Sequence, residues 1–457
     1  MAGPSPIRAH SPPRRFGDST SGSPRSWPLE LSLYRLVTRL ARPLAGTILG
    51  VRAHRGKEDP DRRGERLGIA SVARPPGPVV WVHAASVGEA SAVLPLLAAM
   101  ITRRPDLALL LTTGTVTSTK FVASRLPVGV VHQLVPLDCP SFVARFLEHW
   151  RPSLAVLTEQ EVWPNLVLEA HARGVPLALV NARMSERSFS RWQSCHRVAN
   201  ALFSRFSVVL AQNDTLAGRF VQLGATRAIV AGNLKVDAPP PRIDAEAVEA
   251  LNTALGQRPR LVAASTHEGE ERIIGAAHRQ LARKLDGFCT IIAPRHPDRG
   301  PSIGDALAAD GFRIARRSLG ELPGPSTDIY IADTIGELGT LYASAPVAFI
   351  GGTLVPRGGQ NPIEAVRLGA VVLAGPSRFN FEDAYGALAE ARGATEVLTA
   401  DDIAHATAAL IADSQALGTM RERATRALSH LSGALDRTVM MLLPLLPDQV
   451  EDERGAV

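Results

Sequence analysis

Two acidic motifs stand out for what their residue types can do at their spacing. Ser86-Val87-Gly88-Glu89 follows the apolar run Val79–Ala84, which puts Glu89 at the carboxyl end of a strand and the start of a helix. A carboxylate there can take a proton from a substrate hydroxyl. The same residues have the Ser-x-x-Glu spacing of a capping box, in which the carboxylate only completes a helix start. Thr158-Glu159-Gln160-Glu161-Val162-Trp163-Pro164-Asn165 follows a second apolar run. Helix-start chemistry accounts for Pro164 and one glutamate, but not for both acids and the tryptophan. Asn181-Ala182-Arg183-Met184-Ser185-Glu186-Arg187-Ser188 offers two guanidiniums to a phosphate or carboxylate, or else an exposed charged helix start. Gly232-Asn233-Leu234-Lys235-Val236-Asp237 closes this half of the chain and places Lys235 near a hinge.

A second group lies downstream. Ser265-Thr266-His267-Glu268-Gly269-Glu270 and Ala293-Pro294-Arg295-His296-Pro297 both follow apolar runs. His267, Glu268, Glu270 and His296 are metal-ligand types, but they lack zincin spacing, and Arg295 reads better as an anion partner. Gly351-Gly352-Thr353 and Gly358-Gly359-Gln360-Asn361-Pro362-Ile363-Glu364 form a glycine-rich approach to a helix. Asn361 can cap it and Pro362 suits its first position. Exposed amides at such a start can hold a phosphate, and Glu364 can bond a ribose hydroxyl or simply serve the cap. No Gly-Lys-Ser/Thr follows, so this is not a Walker loop.

The elements that must position these residues alternate. Val79–Ala84, Leu107–Thr113, Leu154–Thr158, Leu177–Asn181 and Val208–Gln212 read as buried parallel strands. After Pro239-Pro240-Pro241 a second series follows: Leu261–Ser265, Thr290–Pro294, Ile329–Ala332, Val347–Gly351 and Val371–Ala374. Two such series imply two doubly wound α/β domains facing across a cleft, with ligands at the carboxyl ends of the strands. The expected divisions are a disordered extension at 1–28, an amphipathic helix at 29–50, domains at 51–237 and 245–445 joined by a linker at 238–244, and a tail at 446–457. In the helix Leu29, Leu33, Leu36, Leu40, Leu44 and Ile48 share a face opposite Arg35, Arg39 and Arg42, and Pro43 should kink it. Such a cationic helix suits a membrane interface, or packing onto the protein body.

Composition narrows the classes further. The 457 residues carry 50 Lys and Arg against 44 Asp and Glu, a modest basic excess concentrated near the N-terminus. Aromatic residues at 5% leave little for a base-stacking nucleic-acid surface. The 3 cysteines fit neither a zinc site nor a disulfide framework.

Taken together, the ordered motifs from Glu65-Arg66-Leu67-Gly68 to the C-terminus resemble the bacterial 3-deoxy-D-manno-octulosonic acid (Kdo) transferases of lipid A biosynthesis. The resemblance rests on Ser86 to Glu89, Glu159 to Asn165, Asn181 to Ser188, Ser265 to Glu270, Pro294 to Pro297, Asp333-Thr334-Ile335-Gly336-Glu337-Leu338 and Gly358 to Glu364. It implies a GT-B fold with the acceptor domain first. It also implies inverting transfer of Kdo from CMP-Kdo to the tetraacylated lipid A precursor, at the cytoplasmic face of the inner membrane, without metal or cofactor. By motif, Glu89 matches the family's general base, and Glu161 and Lys235 its transition-state stabilising positions. Pro294, Arg295, Ile335, Gly336, Glu337, Asn361, Pro362, Ile363 and Glu364 match its CMP-contacting segments. Gln160 stands where a Thr is usual and Gln360 where a His is usual, and the N-terminal extension is long for the family. A nucleotide-sugar 2-epimerase would share the fold without needing the basic amphipathic N-terminus. A non-catalytic lipopolysaccharide assembly protein would not need both sets of acidic motifs.

Overall fold

The computed structural model describes residues 27–238 and 240–448. The expectations for residues 1–26, for Pro239 within the linker and for 449–457 lie outside the described residues. Two seven-stranded sheets, parallel throughout, form the frame.

The first sheet holds β1 (Val79–His83), β2 (Ala108–Thr113), β3 (Val131–Leu134), β4 (Leu154–Thr158), β5 (Leu177–Ala182), β6 (Val208–Ala211) and β7 (Ala228–Val230), in the order β3-β2-β1-β4-β5-β6-β7. Every residue of β1, β4 and β5 is buried. Helices cover both faces of the sheet, which is why these strands read as unbroken apolar runs. Winding reverses between β1 and β4, and that reversal opens a crevice at their carboxyl ends.

The second sheet repeats the plan with β8 (Arg260–Thr266), β9 (Cys289–Pro294), β10 (Ile314–Arg316), β11 (Ile329–Ile331), β12 (Val347–Ile350), β13 (Val371–Ala374) and β14 (Ala394–Glu396). Its order is β10-β11-β9-β8-β12-β13-β14, so its crevice opens between β8 and β12.

The last described α-helix, Ala434–Leu442, returns to the first sheet. Ala434, Val439, Leu442 and Leu446 share a core with Val80, Val82, Leu96 and Leu97. Residues 434–446 therefore belong by packing to the first domain, although they follow the second in sequence. Asp237 fastens the return by accepting the Gly433 and Leu435 N–H groups at 2.9 and 2.7 Å.

The N-terminal segment departs from one kinked helix. It forms α1 (Leu29–Leu40), a short turn at Arg42–Leu44 that contains Pro43, and α2 (Ala45–His54). The polar face of α1 packs inward. Tyr34 donates to Asp138 at 2.8 Å, and Arg35 pairs with Glu169 at 2.7 Å while stacking over Trp27. Asn165 donates to Thr38 at 3.1 Å. Leu31 is buried, whereas Leu29, Leu33, Leu36, Leu40, Leu44 and Ile48 are exposed. Arg35 thus serves the body of the protein, and the leucine row faces outward. No helix among the described residues is long and apolar enough to cross a membrane.

Candidate active site

The crevice between β1 and β4 collects the first-domain motifs. Ser86 caps the helix Val87–Arg103 by accepting the Glu89 N–H at 3.3 Å. The carboxylate of Glu89 accepts three hydrogen bonds: from Ser86 Oγ at 2.8 Å, Ala85 N at 2.9 Å and Thr158 Oγ1 at 2.9 Å. The capping interaction is therefore present, but the third donor comes from β4 and no cap requires it. Glu89 is 9% exposed. Burial raises its pKa above the usual carboxylate range, with the charge of Glu159 adding to the rise; Ser86, Ala85 and Thr158 work against it.

Glu161 lies close enough to feel this charge. Burial raises its pKa and Glu89 raises it further, while Trp163, donating from Nε1 at 2.9 Å, opposes the shift. On its other side stands His83, fully buried, with Nδ1 against Thr112 and an unpartnered Nε2 that is 3.9 Å from Glu161 Oε2. Burial lowers the pKa of His83 to about 4, so the imidazole is neutral at ordinary pH.

Lys235 reaches Glu159 rather than open cleft, with Nζ at 2.8 Å from Oε1, and Arg183 approaches the same carboxylate at 3.8 Å. Glu159 and Asn181 hold left-handed backbone at φ 51°, and Ser265 does so at φ 56° in the second domain. For non-glycine residues this conformation is costly, and all three sit where a strand hands over to a site loop.

In the second domain the first part of the glycine-rich region is filled from within the protein. The fully buried Glu270 carboxylate accepts the N–H groups of His267, Gly352, Thr353 and Leu354 at 2.7–3.1 Å. The amides around Gly352 are thus already occupied by an internal anion and are closed to a phosphate. The same contacts remove Glu270 from any metal set with His267, Glu268 and His296. His267 instead lies 3.2 Å from the Gln360 side-chain amide, in a cationic neighbourhood of His296, Arg357, Arg295 and Arg299.

Asn361 accepts the Ile363 N–H at 3.0 Å and donates to Glu364 at 3.0 Å, at the start of the six-residue helix Pro362–Arg367. Capping and the acidic side chain therefore coexist. Burial raises the Glu364 pKa, while Asn361 and nearby Arg295 lower it. Arg295 is exposed just past Pro294 at the end of β9 and forms no salt bridge within 4.0 Å among the described residues. Ile335 is 86% exposed beside Gly336 at φ 92°. Glu337 is partly exposed and already has partners: Arg317 grips it at 2.7 Å and Thr334 donates to it. Burial acts to raise its pKa, but these donors hold it below the usual value.

One side chain that no sequence motif flagged joins the two halves. Asn380 accepts from Arg183 Nη2 at 3.2 Å and donates to the carbonyls of Arg357 and Gly359 at 2.8 and 3.3 Å. Next to it, the Phe381 ring lies 5.7 Å from Lys235 Nζ. Asn213 also crosses the cleft, donating to Asp383 at 2.8 Å. The Asn181–Ser188 and Gly358–Glu364 motifs thus meet across the cleft.

A family described as "3-Deoxy-D-manno-octulosonic-acid transferase (kdotransferase)" matches residues 61–238. A 3-deoxy-D-manno-octulosonic acid transferase of Haemophilus influenzae is 32% identical over 422 residues, spanning 91% of this chain and 99% of its own length. The chain belongs to the Kdo transferase family. It is accordingly a glycosyltransferase of lipopolysaccharide biosynthesis. A probable, mitochondrial Kdo transferase of Arabidopsis thaliana is 36% identical over 90% of this chain and 95% of its own length. The UDP-GlcNAc 2-epimerase of Neisseria meningitidis superposes with a TM-score of 0.56 over 80% of this chain and 99% of its own, at 14% identity. That likeness speaks for the fold alone, the two-domain GT-B arrangement. The epimerase alternative shares the architecture, and sequence assigns the chain to the Kdo transferases.

Proposed function

We propose that the protein transfers Kdo from CMP-Kdo to the tetraacylated lipid A precursor in one inverting displacement, with Glu89 as general base. The observation that carries this reading is the Glu89 carboxylate, fixed by three donors from two elements at the β1–β4 crevice. A sugar hydroxyl is a weak nucleophile, and a carboxylate with a raised pKa is a better proton acceptor than an ordinary one. Glu89 takes the hydroxyl proton as that oxygen bonds to the anomeric carbon of Kdo. The bond from this carbon to the phosphate oxygen breaks, and CMP leaves with the electron pair.

Glu161 and Lys235, paired with Glu159, set the charge around the reacting carbon. Arg295 faces the donor phosphate, Glu364 the ribose, and the exposed Ile335-Gly336 backbone, supported by Glu337, the cytosine side. Pro294, Asn361, Pro362 and Ile363 shape the walls of that site. No metal or cofactor takes part in this scheme. The acceptor is a lipid, so the protein works at the cytoplasmic face of the inner membrane, with the outward leucine row of α1 and α2 seated in the interface. Incubation with CMP-Kdo and lipid A precursor, read by mass spectrometry, tests the reading. A Kdo-bearing lipid is expected, and its absence from folded, CMP-binding protein overturns it.

A further inference from the structure

Beside the leucine row lies a feature that the transfer reaction does not use. The turn between α1 and α2 faces the helix Pro140–Trp150 across an open groove of about 490 Å³. Arg39, Arg42 and Arg145 line it, with Leu40, Leu67 and Phe142 as apolar wall. Among the described residues neither Arg39 nor Arg42 has a carboxylate within salt-bridge distance, in contrast to Arg35 on the same helix, which Glu169 neutralises. Arg145 is held by donating to the Leu67 carbonyl at 3.0 Å and pairs with no carboxylate among the described residues. Three cationic groups thus share a concave space with no acidic residue among the described residues of its lining. Leu40 belongs both to this wall and to the outward row, at 69% exposure.

We propose that this groove binds the phosphate-bearing headgroup of an anionic membrane lipid. The arginines hold the phosphate oxygens, and an acyl chain leaves past Leu40 along the row into the bilayer. Guanidiniums suit this role because their planar donors match phosphate oxygens in pairs. The chemistry is amphiphilic in the right order, with charge inside the groove and apolar surface at its mouth. A soluble phosphate would make no use of that mouth, which is why the occupant is a lipid. The inference rests on the membrane-surface reading above and adds to it a discrete, saturable site outside the catalytic crevice.

Two measurements separate the site from the reading beneath it. Calorimetry with monomeric dihexanoyl phosphatidylglycerol probes the groove without any bilayer. Saturable binding of one lipid per chain is expected, weakened about tenfold or more in R39Q/R42Q. It should be unchanged in R55Q/K57Q, which removes the same charge from exposed positions at the end of the same hairpin. Equal weakening in both variants, or no saturable binding, overturns the site. Co-sedimentation of L33D/L36D with phosphatidylcholine vesicles tests the membrane reading separately, because these exposed leucines do not line the groove. Loss of sedimentation is expected there. If L33D/L36D sediments as fully as the parent protein, the leucine row is not the anchor, and the inference that rests on it falls even if the groove binds the monomer.

Discussion

At the scale of single residues, the site is a set of carboxylates given different surroundings. Glu159 has Lys235, Glu270 has four amides, and Glu89 has three neutral donors in a buried setting. A base acts when ionised, so a raised Glu89 pKa puts the acid-side fall of kcat/KM above the ordinary carboxylate value of 4.5. A pH–rate profile checks this, and an acid limb at or below that value would count against the assignment. Lys235→Met leaves the Glu159 charge compensated only by the more distant Arg183, which should push the acid limb higher still. The lost pair should also cost about 1–3 kcal/mol in thermal unfolding. Arg295→Ala and Glu364→Ala should each weaken CMP binding by roughly 1.5–3 kcal/mol in calorimetry, because each removes a charge-assisted contact. Unchanged affinity in both variants would move the donor site. Most of these residues were legible from motif position at strand ends. His83 and Asn380 were not assigned roles, because burial and cross-cleft contacts leave no local pattern in a sequence.

At the scale of elements, the limits of pattern reading have a common cause. The strands that periodicity missed, β3, β7, β10 and β14, are the outermost strands of the two sheets. They are three or four residues long, and only one side of each pairs with the sheet, so they lack the long apolar run that betrays a central strand. In the glycine-rich region one contact was illegible for a different reason. Sequence shows where amides can gather but not what fills them, and Glu270 reaches them from 82 to 84 positions away. Glu270→Gln keeps the volume but supplies one accepting oxygen where two were used. It should cost about 2–4 kcal/mol of stability and thereby lower CMP affinity, measurable by thermal unfolding and calorimetry. Unaltered stability would mean that the cradle does not need its charge. The N-terminal hairpin was legible as amphipathic, but which face packs inward depended on Asp138, Asn165 and Glu169, which are distant in sequence.

At the scale of the whole molecule, two similar sheets are tied by a few polar bridges and by the returning helix Ala434–Leu442. Repetition of the doubly wound pattern was plain in the sequence; the return was not, because an amphipathic helix does not announce which sheet it covers. Asn380→Ala removes the side chain that links Arg183 to the glycine-rich loop. It should raise the KM for the donor several-fold with little change in unfolding temperature, since Asn380 bridges the domains outside either core. The central claim is that this architecture exists to hold Glu89 as the base for Kdo transfer. The most direct measurement is the mass-spectrometric transfer assay on Glu89→Gln, with CMP binding and thermal unfolding recorded on the same preparation. The account predicts transfer lowered by about 10²–10⁴-fold, with CMP affinity retained and the fold intact, since removal of a buried charge offsets the loss of one accepting oxygen. If Glu89 only caps its helix, the variant should still transfer Kdo, because a glutamine completes the same capping box. Substantial transfer by Glu89→Gln would contradict the account.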